Sequence, residues 1–427
     1  MDPAGQFARR FPLVARTRPA CLPLARRVAE LCDRARQVEH SGDLTEAAAV
    51  HNNAALTASD CGLPDLARQW CHQQVNIYLR ARPLSAQVAR FALEPITNLA
   101  RLYIREGQGE RAFALMDTLF TAVSARADAI VDGIEIPADL TDSAETNQHI
   151  RSWLWAVLLA TGGRALAAAD RWAEARARLD EYKGVGRRML DGRQVAVIAH
   201  AVSGDTDSAL ALLADTTPGD PWENAVTACL TIQCHGASGD ADLATLLNRY
   251  HGLDASAPGL AVFHTRLGLS FIDATGTVDD PSVRQIAVDL IDHATATRDG
   301  YVARDMLAHN GCRELLTGSQ ARELSDLVDA SSRLECPERW LSAASSRGTV
   351  NLLVVGGNGS WFRTGTNALA ELDAAAQLGQ LAVGAIAFSG PPAKMANATP
   401  NWMNWPLHGL TISNEHISVR MPIPPRN

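Results

Sequence analysis

Gly204-Asp205-Thr206-Asp207-Ser208-Ala209 and Gly239-Asp240-Ala241-Asp242-Leu243-Ala244 are two copies of one phrase: a Gly or Asp followed five residues later by Ala, often with an acid or amide beside the opening residue. Asp170…Ala175 is a third copy, and Gly42-Asp43…Ala47, Gly62…Ala67 and Gly107-Gln108…Ala112 come earlier in the chain. The last three copies begin 34 and 35 residues apart, the spacing of one pair of antiparallel helices. Gly ends a helix in a left-handed conformation, a polar residue opens the next, and a small Ala lets the two backbones approach. One such pair cannot bury its apolar face alone, whereas stacked pairs can. The spacing therefore predicts a mainly α chain, an α-solenoid of stacked helix hairpins with an elongated concave surface.

Working outward, helical periodicity begins at Leu24, where Leu24, Val28, Leu31 and Ala35 recur on one face, and Gly42 closes that helix. Further helices are expected at about 45–59, 65–82 (stopped by Pro83), 87–105 and 110–126. The phase then breaks. Between Gly107 and Asp170 there is room for one helix pair and an insertion, and Ile130-Val131-Asp132-Gly133-Ile134-Glu135-Ile136 alternates apolar and polar residues around a hairpin turn. Residues 127–150 hold six acids and no Lys or Arg, so a small acidic hairpin or long loop projecting from the array is expected there. Helices resume at about 144–169, 172–182, 187–203, 206–214, 221–236, 240–250, 258–272, 282–298 and 301–316, with a capping helix at 319–332.

The repeat array is thus expected over residues 24–341. Before it, residues 1–23 carry Pro3, Pro12, Pro19 and Pro23 among arginines, which reads as a loosely ordered basic arm. After it, 349–427 changes texture. Val350–Val355 and Ser360–Arg363 read as strands flanking Gly356-Gly357-Asn358-Gly359, and seven prolines follow Ser389. This stretch is expected to be a small α+β or irregular appendage docked on the array.

Hydrophobic content of 47% with 20% charged residues is that of a folded chain. A net charge of −8 argues against nonspecific nucleic-acid binding by the surface at large, so nucleic acid is not an expected partner. The longest apolar runs, such as Trp153–Ala160, fall far short of the roughly 20 residues needed to cross a bilayer. With no signal-peptide core and eight scattered cysteines that form no CxxC pair, the expected setting is the cytoplasm, with thiols reduced.

The chemistry-bearing patterns are weak. The Gly-rich stretch at 356–359 lacks the Lys-Ser or Lys-Thr of a phosphate loop. Cys71-His72 and Cys234-His235 are adjacent pairs, which on a helix point about 100° apart and do not face one ion. No nucleophile elbow or HExxH is present. No catalytic motif, metal site or cofactor is therefore expected.

Polar stripes on otherwise apolar helices are more informative. Gln69, Gln73, Asn76 and Arg80 share one helix face, as do Arg90, Glu94, Asn98, Arg101 and Arg105 on a later helix. Arg187, Asp191 and Gln194 continue the pattern. Amides suit a peptide backbone, and guanidinium forks suit carboxylates. The candidate groove is Gln69, Gln73, Asn76, Arg80, Glu94, Asn98, Arg101 and Gln194. Solvated helix faces or bonds between helices are the plainer account of the same stripes.

The phrase and its small positions at Ala47, Ala112, Ala175, Ala209 and Ala244 resemble the tetratricopeptide superfamily over about residues 24–335. The chain also resembles divergent helical-repeat segments of actinobacterial regulators and gene-cluster proteins. The resemblance implies a scaffold or sensor that holds a peptide or protein segment in its concave groove; a homodimer is compatible with it. Two alternatives stay open: an enzyme or accessory protein of a bacterial specialised-metabolite or peptide-maturation pathway, and a regulator with a degenerate winged-helix-like C-terminus.

Overall fold

The computed structural model describes residues 1–235, 243–276, 280–332, 353–355 and 361–363. Most of it is helical, as the spacing predicts. A short helix, α1 (Gln6–Arg10), precedes α2 (Leu24–Ser41), α3 (Leu44–Asp60), α4 (Pro64–Leu79), α5 (Ala86–Arg105) and α6 (Gly109–Ala125). After a hairpin come α7 (Ala144–Val157), a π-helical turn (Leu158–Gly162) and α8 (Gly163–Ala168). The chain continues through α9 (Trp172–Glu181), α10 (Asp191–Val202), α11 (Thr206–Ala214), α12 (Pro221–His235) and α13 (Leu243–His251). It closes with α14 (Ala261–Thr275), α15 (Pro281–Thr297), α16 (Gly300–Ala308), α17 (Asn310–Leu315) and α18 (Gly318–Ser332).

The repeated phrase does locally what its residue types dictate. Gly42, Gly62, Gly107 and Gly204 all take positive φ, between 66° and 83°. Asp170, in the same position of its copy, takes φ 59°, a conformation that Asp tolerates better than most non-glycine residues. Asp43 then caps α3 by accepting from the Thr45 and Glu46 amides at 2.8 and 3.3 Å. Asp205 caps α11 through the Ser208 amide at 3.2 Å. Ala67, Ala112, Ala175 and Ala209 are fully buried. Ala244 is not; it is exposed on α13, so the small position fails in the last copy.

Consecutive helices pack on one another: α2 on α3, α3 on α4, α4 on α5, α5 on α6, α9 on α10, α10 on α11 and α12 on α13 and α14. Gly109 shows how close the approach is. A Cβ built there would stand 2.1 Å from the Ala165 carbonyl oxygen of α8. The two ends of the succession also meet, because α18 touches α2. Asp60, at the end of α3 and only 3% exposed, receives Arg27 of α2 at 2.6 Å, Arg105 of α5 at 2.9 Å, and the hydroxyl of Tyr301 on α16.

Three details differ from the sequence reading. The expected helix over 301–316 is two, α16 and α17, parted at His309. There the His309 Nδ1 accepts from the Cys312 amide at 3.1 Å and caps α17. The hairpin, β1 (Ala129–Val131) paired with β2 (Ile134–Ile136), does not project; it lies against α4 and α6. Val131, Ile134 and Ile136 are buried there, and Asp132 is tied to Tyr103, to His72 at 3.2 Å and to Arg111 at 3.2 Å. Apolar burial on one face of so short a hairpin outweighs its acidity.

The third difference is the arm. Residues 1–23 are packed against the helices, with Phe7, Ala8, Phe11, Leu13 and Cys21 buried. Its prolines exclude a long helix, so its backbone groups are satisfied by other parts of the chain. Of the C-terminal stretch, β3 (Leu353–Val355) pairs antiparallel with β4 (Trp361–Arg363). The expected docking of 349–427 otherwise lies outside the described residues.

Candidate functional site

The arm makes the most informative site because it is an extended chain held by side chains from distant helices. Phe7 and Phe11, one turn apart, stack at 5.0 Å and anchor α1 against α14. Beyond Phe11 the backbone is extended, so its amides and carbonyls need partners from elsewhere. Gln194, itself fully buried on α10, supplies two. Its Oε1 accepts from the Leu13 amide at 2.6 Å, and its Nε2 donates to the Leu13 carbonyl at 2.7 Å. The Nε2 also donates to the Met189 carbonyl at 3.0 Å, which fixes the amide's orientation. A side-chain amide paired with both backbone groups of one residue mimics a β-ladder.

Neighbouring contacts extend this grip. Arg164 on α8 donates to the Pro12 carbonyl, and the Trp172 indole donates to the Pro3 carbonyl at 3.2 Å. The Arg18 amide donates to the Gly259 carbonyl at 3.0 Å, and the Gly300 amide donates to the Cys21 carbonyl at 2.8 Å. Two arm arginines find acids: Arg10 pairs with Asp273 on α14, and Arg16 with Asp191 on α10, one turn from Gln194. His309 donates from Nε2 to the other Asp273 oxygen at 3.0 Å; its Nδ1 is already an acceptor, so the proton sits on Nε2. Burial pushes the Asp273 carboxyl up, but the hydrogen bond from His309 and the charge and hydrogen bond of Arg10 outweigh it and hold the group below its usual range.

The predicted stripes separate into two groups. Gln194 meets the arm directly. Glu94, Asn98 and Arg101 lie half-buried on α5 in one network: Asn52 of α3 donates to Glu94 at 3.3 Å, Asn98 donates to Asn52 at 3.2 Å, and Arg101 donates to Asn98 at 2.9 Å. Burial raises the Glu94 carboxyl. By contrast, Gln69 and Asn76 on α4 and Arg80 just past its end are exposed, and Gln73 is half-buried with its Oε1 unpartnered among the described residues. The structure does not bring this stripe to the arm.

Arg10, Arg164, Asp273 and Tyr301, whose ring lies under the Arg18 guanidinium at 4.1 Å, belong to the site and were not singled out by helix-face reasoning. The available signal was Phe7 and Phe11 at i, i+4 in a segment otherwise read as a loosely ordered basic arm.

Among the described residues no group of three or more His, Cys, Asp or Glu could hold a metal ion, and no helix is long and apolar enough to cross a membrane. No family model, curated protein or solved structure matches the chain.

Proposed function

We propose that the chain is a tetratricopeptide-like α-solenoid that works as a cytoplasmic scaffold or sensor, binding an extended peptide or protein segment along its inner face. In the form described here its own arm fills that role. The observation that carries this reading is the double hydrogen bond between Gln194 and the Leu13 backbone. It reads no side chain of the bound segment, so any extended chain of suitable flanking residues satisfies it equally. Phe7 and Phe11 supply an apolar anchor, and Arg10 and Arg16 set register through Asp273 and Asp191. A partner segment is therefore expected to carry an aromatic pair followed by basic residues.

The test adds a synthetic peptide of residues 6–18 to a chain lacking residues 1–20. Saturable binding with recovery of thermal stability is expected. Gln194→Ala should weaken it roughly tenfold or more, since two buried backbone bonds are lost. Arg80→Lys, at the exposed C-terminal end of α4, should leave affinity unchanged. A truncated chain that neither binds the peptide nor regains stability contradicts the reading.

A further inference from the structure

Several half-buried arginines have no carboxylate partner among the described residues. Arg16 and Arg18 reach inward from the arm, Arg101 from α5 and Arg164 from α8. Arg16 has Asp191. The other three form no ion pair with a carboxylate among the described residues: Arg18 lies over the Tyr301 ring at 4.1 Å, Arg101 donates to the Asn98 amide oxygen, and Arg164 donates to the Pro12 carbonyl. All three are half-buried and so keep some access to solvent.

Their placement follows from contacts already given. Arg164 holds Pro12, four residues before Arg16. Arg18 rests on Tyr301, whose hydroxyl reaches Asp60; Asp60 holds Arg105, one helical turn beyond Arg101 on the same face of α5. Arg101 and Arg164 each feel the positive charges of both Arg16 and Arg18, and Arg164 also that of Arg266. Burial first and these neighbours after it push both guanidiniums down to about 10, although Glu94 and Asp191 act the other way. Of the nearby acids, Asp60 is committed to Arg27 and Arg105, Asp191 to Arg16 and Asp305 to Arg266 at 2.7 Å, while Glu94 accepts from Asn52 and forms no ion pair with Arg101 among the described residues.

We infer that Arg18, Arg101 and Arg164, with Arg16 beside them, form a binding site for a small multivalent oxyanion bearing phosphoryl or carboxylate groups, and that the anion clamps the arm to the helices. Guanidinium forks present paired donors at the spacing of such oxygens. Two of the four come from the arm and two from the helices, so an anion between them replaces mutual repulsion with a bridge. The inference rests on the seat of the arm and is independent of whether a foreign peptide enters.

Inorganic phosphate, pyrophosphate and citrate are titrated into the full-length chain by calorimetry and thermal melting, with sodium chloride at matched ionic strength as control. Saturable binding of at least one of them, with a raised melting temperature, is expected. Arg101→Gln and Arg164→Gln should each weaken it roughly tenfold or more; without anion, Arg101→Gln melts close to the wild type, whereas Arg164→Gln melts lower because it also frees the Pro12 carbonyl. Pyrophosphate or citrate binding with no response to inorganic phosphate identifies a ligand with two anionic groups; a response to all three identifies a single-anion subsite. Absence of saturable binding by all three overturns the inference, as does equal binding by wild type and both variants. Failure of Arg101→Gln to fold also overturns it, because that arginine would then be structural.

Discussion

Ala209 and Gly109 show why the repeated phrase constrains side-chain size. Ala209 is fully buried on α11, where a longer side chain has nowhere to go. Ala209→Leu should destabilise the chain by roughly 1–3 kcal/mol through overpacking, measured by chemical denaturation. Gly109 is tighter still, since the obstructing atom is a backbone oxygen that cannot rotate away. Gly109→Ala should therefore lower the melting temperature, even though Ala normally favours a helix. A melting temperature at or above that of the wild type would mean that α6 and α8 do not approach as described.

At the scale of elements, the helices were legible and the arm was not. Their starts and stops are set by local chemistry, such as Gly42 closing α2, Asp43 opening α3 and Pro64 starting α4, so periodicity and caps place them within a few residues. The break at His309 was hidden because its side chain caps α17 while also serving Asp273, a residue 36 positions away. The arm depends on such distant partners throughout. Pro12 and Leu13 are satisfied by Arg164 and Gln194, and nothing near them in sequence announces it. Of the candidate groove, Gln194 was legible from its helix face, whereas the α4 stripe presents an equivalent pattern on an exposed surface. Periodicity marks which residues share a face, but not which face turns inward. The arm also responds to pH through Asp273. Its carboxyl lies below the usual range in the folded chain, so its contribution is complete above the unfolded value of about 4 and is lost as pH falls through the folded value. Acidification below about pH 4 should loosen the arm as Asp273 protonates, and Asp273→Asn should remove that part of the pH dependence. A stability profile in which wild type and variant show the same acid dependence would exclude Asp273 as its source.

On the scale of the whole molecule, Asp60 joins the first helices to the last, and the arm fills the space they share. Asp60→Asn leaves Arg27 and Arg105 without their common carboxylate and should cost roughly 3 kcal/mol or more, read as a fall in denaturation midpoint. An unchanged midpoint would contradict the junction between α3 and α16. The central claim is that the arm is a bound segment held by backbone recognition at Gln194. Hydrogen exchange of the full chain, followed peptide by peptide, tests it most directly. Residues 11–18 should exchange as slowly as the helices around them in the wild type. In Gln194→Ala they should exchange rapidly while α5 and α10 remain protected. Exchange of residues 11–18 in the wild type at the rate of an unstructured peptide would contradict the account.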